Sequence, residues 1–181
     1  MKKILLLIVV LILGTFGYLV LNKEQTTSDT TTATSTATQF QPTPESATFL
    51  FDDGSTTLAH GKSSKIDSGT GLSDDIWLLD EKASGDLNND GKTDSAVLLA
   101  RSGGGSGTFI YLAVYVSGPV NYKGSNAIFI GDRISPESIS ISNGVVTLHY
   151  LDRGEQEPMS AEPTLENTKQ FVYKNGTLEE K

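Results

Sequence analysis

Ile139-Ser140-Ile141-Ser142-Asn143-Gly144-Val145-Val146-Thr147-Leu148-His149-Tyr150 is two runs of alternating character joined by Asn-Gly. A period of two sends successive side chains to opposite faces of a strand. Asn-Gly favours the type I′ turn, whose twist matches a two-residue β-hairpin. Folding about that turn sets Ile139 opposite Leu148 and Ile141 opposite Val146, with Tyr150 on the same face. Ser138, Ser140, Thr147 and His149 then share the other face, so one side of the hairpin is apolar and the other polar.

The same punctuation recurs on either side. Asp53-Gly54 suggests a hairpin with Phe49–Phe51 running out and Thr56–Leu58 running back, and Asn175-Gly176 suggests another near the C-terminus. Between them, residues 108–116 (Thr-Phe-Ile-Tyr-Leu-Ala-Val-Tyr-Val) are almost continuously apolar, as expected of a strand buried on both faces at the centre of a sheet. Ser95–Ala100 and Asn126–Ile130 are further strands, while Ile76–Leu79 suits either a strand or a short helical turn. No segment past residue 21 carries a 3.6-residue period. About eight strands with these turns predict a mainly β fold, a single antiparallel β-rich domain built as a sandwich or a strongly curved sheet.

Towards the N-terminus the character changes twice. Ile4–Leu21 is apolar apart from Gly14, Thr15 and Gly17, and contains no charge. Its eighteen residues span about 27 Å as a helix, close to the ~30 Å hydrocarbon core of a bilayer. Lys2 and Lys3 precede it and are kept inside by the positive-inside tendency. Residues 1–21 are therefore expected to be a single-pass anchor in the cell membrane, with the remainder extracytoplasmic. The alternative is a cleaved signal, for which Thr15-Phe16-Gly17 is the nearest cleavage sequence and Tyr18 would be the new N-terminus. Residues 22–46 are rich in Thr, Ser, Gln and Ala and end with Pro42 and Pro44, a composition with too little apolar surface to offset the entropy of ordering. They read as a disordered stalk, and residues 47–181 as the folded domain.

Charge and cysteine usage narrow the function. Without Lys2 and Lys3 there are 12 basic residues against 22 acidic ones, about −10 for the exported part. With no basic stripe to displace counterions, nucleic acid is excluded as a partner. The chain has no cysteine, so neither disulfides nor a lipidated cysteine is available.

One constellation carries chemistry. In Asp86-Leu87-Asn88-Asn89-Asp90-Gly91-Lys92-Thr93-Asp94, side-chain oxygens recur at loop positions 1, 3, 5 and 9, and Gly91 stands at position 6. Ca²⁺ takes six to eight oxygens at ~2.3–2.6 Å, glycine permits the sharp turn, and the carbonyl of Lys92 at position 7 is a further ligand. The expected metal site is Asp86, Asn88, Asp90, Lys92 and Asp94. An oxygen-only set argues against zinc and copper, and Mg²⁺ remains an alternative that holds its waters more tightly.

With its following strand, this loop resembles the FG-GAP unit of integrin-type propellers, and less closely the dockerin and EF-hand loops. The resemblance implies Ca²⁺ binding but neither parent fold. Val97 occupies position 12, where an EF-hand has a carboxylate, and a single copy cannot build a propeller. A wider resemblance runs from about Thr56 to Leu178, through Gly85–Asp94, Gly103–Phe109, Ile130–Ile134 and Glu157–Met159, to a domain of exported bacterial proteins. It implies no activity.

Other candidates carry less. Gly103-Gly104-Gly105-Ser106-Gly107 lacks the lysine and the following helix of a phosphate loop and reads as a strand connection whose bare backbone could line a groove. His60 and His149 are expected at the surface, and Asp132-Arg133 as an ion pair. The combined expectation is a Ca²⁺-binding module for ligand or surface binding, its partner an unidentified protein or glycan at the cell surface. An envelope-assembly component is the alternative, followed by a carboxylate-dependent hydrolase.

Overall fold

Antiparallel pairing organises all three sheets of the computed structural model, which describes residues 43–118 and 123–181. The central sheet runs β3 (Lys62–Ile66), β4 (Ser73–Gly85), β5 (Asp94–Ser102), β6 (Phe109–Val116) and β7 (Lys123–Gly124), and β8 (Ile128–Asp132) also pairs with β6. A second sheet has the order β12 (Thr177–Glu180), β11 (Leu165–Lys174), β10 (Val145–Asp152), β9 (Ser135–Ser142). A separate hairpin joins β1 (Thr48–Phe51) to β2 (Gly54–Thr57). The fold is mainly β and antiparallel.

Side-chain alternation explains how these pieces pack. One face of β5 and β6 presents Ala96, Leu98, Ala100, Ile110, Leu112 and Val114, which share a core with Val146, Leu148, Tyr150 and Phe171 of the second sheet. The opposite face presents Val97, Leu99, Ala113 and Tyr115, which pack with Phe49, Phe51 and Leu58 around the first hairpin. β5 and β6 are thus covered on both sides, which is why their sequences are almost uninterruptedly apolar. Full burial of a side chain such as Leu98, Leu148 or Phe171 contributes about 1.5–3 kcal/mol.

The hairpin 139–150 forms in the expected register, Ile139 opposite Leu148 and Ile141 opposite Val146. Asn143 and Gly144 have φ of 50° and 73°, and Asn175 and Gly176 have 51° and 87°, the two left-handed residues a type I′ turn requires. Beyond His149 a bulge brings Pro136 opposite Tyr150. β9 is an edge strand, where the missing proline N–H is tolerated.

Other expectations need adjustment. The first hairpin turns on Asp52-Asp53, because Gly54 already pairs with Phe51. Ile76–Leu79 lies within a 13-residue strand, β4, whose pairing with β5 is interrupted between Leu78 and Lys82. At its far end Gly85 lies against β9: an added Cβ would come within 2.7 Å of Ile141 Cγ2. Pro44–Ser46, assigned to the stalk, form a 3₁₀ turn, and the Gly61 N–H donates to the Glu45 carbonyl at 2.7 Å. The anchor at Ile4–Leu21 and the rest of the stalk lie outside the described residues. Among the described residues no helix is long and apolar enough to cross a membrane.

Candidate functional site

The loop between β4 and β5 closes on itself. Asn89 and Gly91 adopt φ of 60° and 79°, which folds the chain back towards Asp86. An added Cβ at Gly91 would meet nothing within 4 Å, so its backbone angle, not lack of space, favours glycine there. Asp86 Oδ1 accepts the Asp90 N–H at 3.2 Å and its Oδ2 accepts the Gly91 N–H at 2.9 Å. Asn88 Oδ1 accepts the same Asp90 N–H at 3.1 Å, and Asp90 Oδ1 accepts the Lys92 N–H at 2.9 Å. Asp86, Asn88 and Asp90 are therefore brought together around one turn.

Asp94 is placed differently. It opens β5, is only 1% exposed, and spends its oxygens on distant partners. Oδ2 accepts the Leu87 N–H at 2.9 Å, while Oδ1 accepts the Ser117 N–H at 2.8 Å and the Ser117 hydroxyl at 3.0 Å. A buried carboxylate is stable only when bonded in this way. Asp94 ties the loop to the end of β6.

The donor chemistry suits a hard cation. Each carboxylate oxygen has two acceptor sites, and the bonds to Asp86 use one on each oxygen, so capacity for an ion remains. Among the described residues no group of three or more His, Cys, Asp or Glu side chains is placed so that it could hold a metal ion.

No family model matches this chain, and no curated protein or solved structure is significantly similar to it.

The remaining sequence candidates lie elsewhere on the domain. Arg133 Nη2 pairs with Asp132 Oδ2 at 2.9 Å, and Asp132 Oδ1 also accepts the Thr108 N–H at 3.0 Å. The Arg133 guanidinium holds the Asp132 carboxyl below its ordinary range. His149 is exposed and shares a 2.8 Å hydrogen bond with Thr168 Oγ1. His60 is an exposed turn residue with φ of 54°.

A second polar cluster, not anticipated from the sequence, lies at the other end of β5. Arg101 bridges two aspartates: Nε and Nη2 donate to Asp74 at 2.7 and 2.8 Å, and Nη1 and Nη2 donate to Asp53 at 2.9 and 2.6 Å. Its guanidinium also lies 5.4 Å from the centre of the Phe51 ring. Hydrogen bonds from Arg101 hold the Asp53 carboxyl below its ordinary range. Beside it runs a chain of rings, Phe51 to Tyr111 at 5.1 Å, Tyr111 to Phe129 at 5.6 Å and Phe129 to Phe109 at 6.2 Å. Arg101, Tyr111 and Phe109 line a groove of about 730 Å³ together with Asp53, Leu72 and Gly103. The signal was present as period-two alternation, which sets Arg101, Phe109 and Tyr111 on one face, but it is readable only once the pairing of β5 with β6 is known.

Proposed function

We propose that this chain is a membrane-tethered extracytoplasmic β-module whose Asp86–Asp94 loop binds Ca²⁺, mainly as a structural ion, and whose folded domain presents a surface to a ligand outside the cell. The observation that carries the reading is the gathering of Asp86, Asn88 and Asp90 oxygens around one turn whose final residue, Asp94, is fixed in the core. The side chains of Asp86, Asn88 and Asp90 and the Lys92 carbonyl would hold the ion directly, with Asp94 acting through a water. A dication offsets the repulsion among the clustered carboxylates and supplies no chemistry beyond that. A structural role follows from the neighbours: an added Cβ at Gly144, the tip of the β9–β10 hairpin, would lie 3.3 Å from the Leu87 carbonyl. Stiffening the loop therefore steadies a packed end of the domain.

A hydrolase is less well supported. A general acid at neutral pH needs a raised carboxyl pKa, and arginines hold both Asp53 and Asp132 down.

Equilibrium dialysis with radiolabelled Ca²⁺ tests the loop: the full chain should bind the ion reversibly, and Asp90→Ala should not. Equal binding by both would overturn the assignment. Fractionation tests the tether, for which the apolar run Ile4–Leu21 is the warrant. The chain should sediment with membranes and be released by proteolysis within residues 22–42, whereas a soluble form starting near Tyr18 would show a cleaved signal instead.

A further inference from the structure

We infer that the outer edge of β3, with the groove beside it, takes an extended acidic segment of another protein as an added strand. This rests on the reading of the domain as a binding module and supplies the class of partner and its place.

β3 ends the central sheet and pairs only with β4. At one end of that pairing the Leu78 N–H donates to the Gly61 carbonyl, and at the other the Asp67 N–H donates to the Leu72 carbonyl, both at 2.9 Å. Inward and outward bonding alternate along an antiparallel strand. Residues 61, 63, 65 and 67 therefore turn their backbone groups to β4, while Ser64 and Ile66 turn theirs away. Lys62 closes a local bridge with Ala59, but the N–H and carbonyl groups of Ser64 and Ile66 have no partner among the described residues. They are free rungs onto which an extended peptide can pair.

The side chains at this edge are apolar and open. Ile66 and Leu72 are 74% and 53% exposed and line the groove with Phe109 and Tyr111. An apolar residue opposite Ile66 would cover surface that the sheet leaves in water.

Charge selects the partner. β3 reads Lys-Ser-Ser-Lys-Ile, and neither lysine has a carboxylate partner among the described residues. Lys65 Nζ donates to Thr56 Oγ1 at 3.3 Å. The carboxylates of the groove are engaged elsewhere: Arg101 holds Asp53 and Asp74, and Asp67 Oδ1 accepts the Gly69 and Thr70 N–H groups. Lys65 lies between the two free rungs, where the Cα atoms of an added antiparallel strand would approach to about 4.5 Å. An aspartate or glutamate there meets the ammonium directly. A second copy of this chain fits poorly, because the register that uses both rungs sets the two copies of Lys65 face to face, and like charges directly opposite repel.

The test is fluorescence anisotropy of the full chain in phospholipid nanodiscs. The probes are the labelled peptide Thr-Val-Glu-Thr-Val-Glu-Thr, its acids spaced to meet Lys65 and Lys62, and a counterpart with lysine at both acidic positions. The acidic peptide should bind saturably and the lysine peptide at least about tenfold more weakly. Binding should slow hydrogen exchange at the Ser64 and Ile66 amides. Lys65→Ala, and separately Ser64→Pro, which removes an outward N–H and none of the bonds to β4, should each weaken the acidic peptide by about fivefold with the melting temperature near wild type. Asp86→Ala, in the distant loop, should leave it unchanged. No saturable signal with the acidic peptide, equal affinity for the two peptides, or undiminished binding by either edge variant would overturn the inference. Retained Ca²⁺ binding in the same preparation would confine that failure to the edge.

Discussion

The two ends of β5 solve the problem of crowded carboxylates in opposite ways. At Asp94 the strand begins with a loop whose acidic side chains bond to backbone N–H groups two to five residues away. At Arg101, seven residues and roughly 23 Å further on, the carboxylates come from Asp53 and Asp74, 48 and 27 residues distant, and are held by a guanidinium. The first arrangement is local, uses neutral donors and leaves negative charge uncompensated. The second is assembled by the fold and carries its own cation. A loop of the first kind gains from an added dication, while a cluster of the second kind has little to gain.

Substitutions should separate the two ends, and the largest effect is expected where the local loop joins the core. Asp94→Ala strands the Leu87 N–H and both Ser117 donors in a buried site. Each lost partner costs about 1–3 kcal/mol, so a loss on the order of 3–5 kcal/mol is expected with or without Ca²⁺. Chemical denaturation in EGTA measures it. A loss seen only when Ca²⁺ is present would mean that Asp94 acts as a ligand and not as a staple.

A smaller effect concerns the arginine-held end. The folded-state pKa of Asp53 is lowered, so its contribution is complete above the unfolded value of ~3.9 and disappears as the pH falls through the folded value. The Asp53 carboxyl resonance should therefore titrate with a midpoint below that of a model aspartate, and Arg101→Ala should return it to the ordinary range. An ordinary midpoint in the wild-type chain would mean that the ion pair does not persist in solution.

The same contrast explains what was legible in the sequence. The 139–150 hairpin could be read to the register because its turn chemistry and alternation are both local. The oxygen spacing of the loop was legible for the same reason, although Asp94's attachment to Ser117 was not, since it spans 23 residues. The length of β4 was obscured by Asp80, Glu81 and Lys82, charges that sit next to the interruption in its pairing with β5. The groove was hidden more deeply. An apolar run such as residues 108–116 predicts burial along its whole length, whereas Phe109 at its beginning lies beyond the cover of the first hairpin, and Asp53, Asp74 and Arg101 meet only after three strands have been placed.

The central claim, that the local end of β5 is a Ca²⁺ site, is tested most directly by melting the chain in EGTA and in Ca²⁺ and repeating both with Asp86→Ala. At ~100 times the Kd, binding to the native state alone should add about 2.7 kcal/mol, a clear upward shift in Tm. The wild-type curve should move and the Asp86→Ala curve should stay where it is in EGTA. Superimposable wild-type curves, or an equal shift in the variant, would contradict the account.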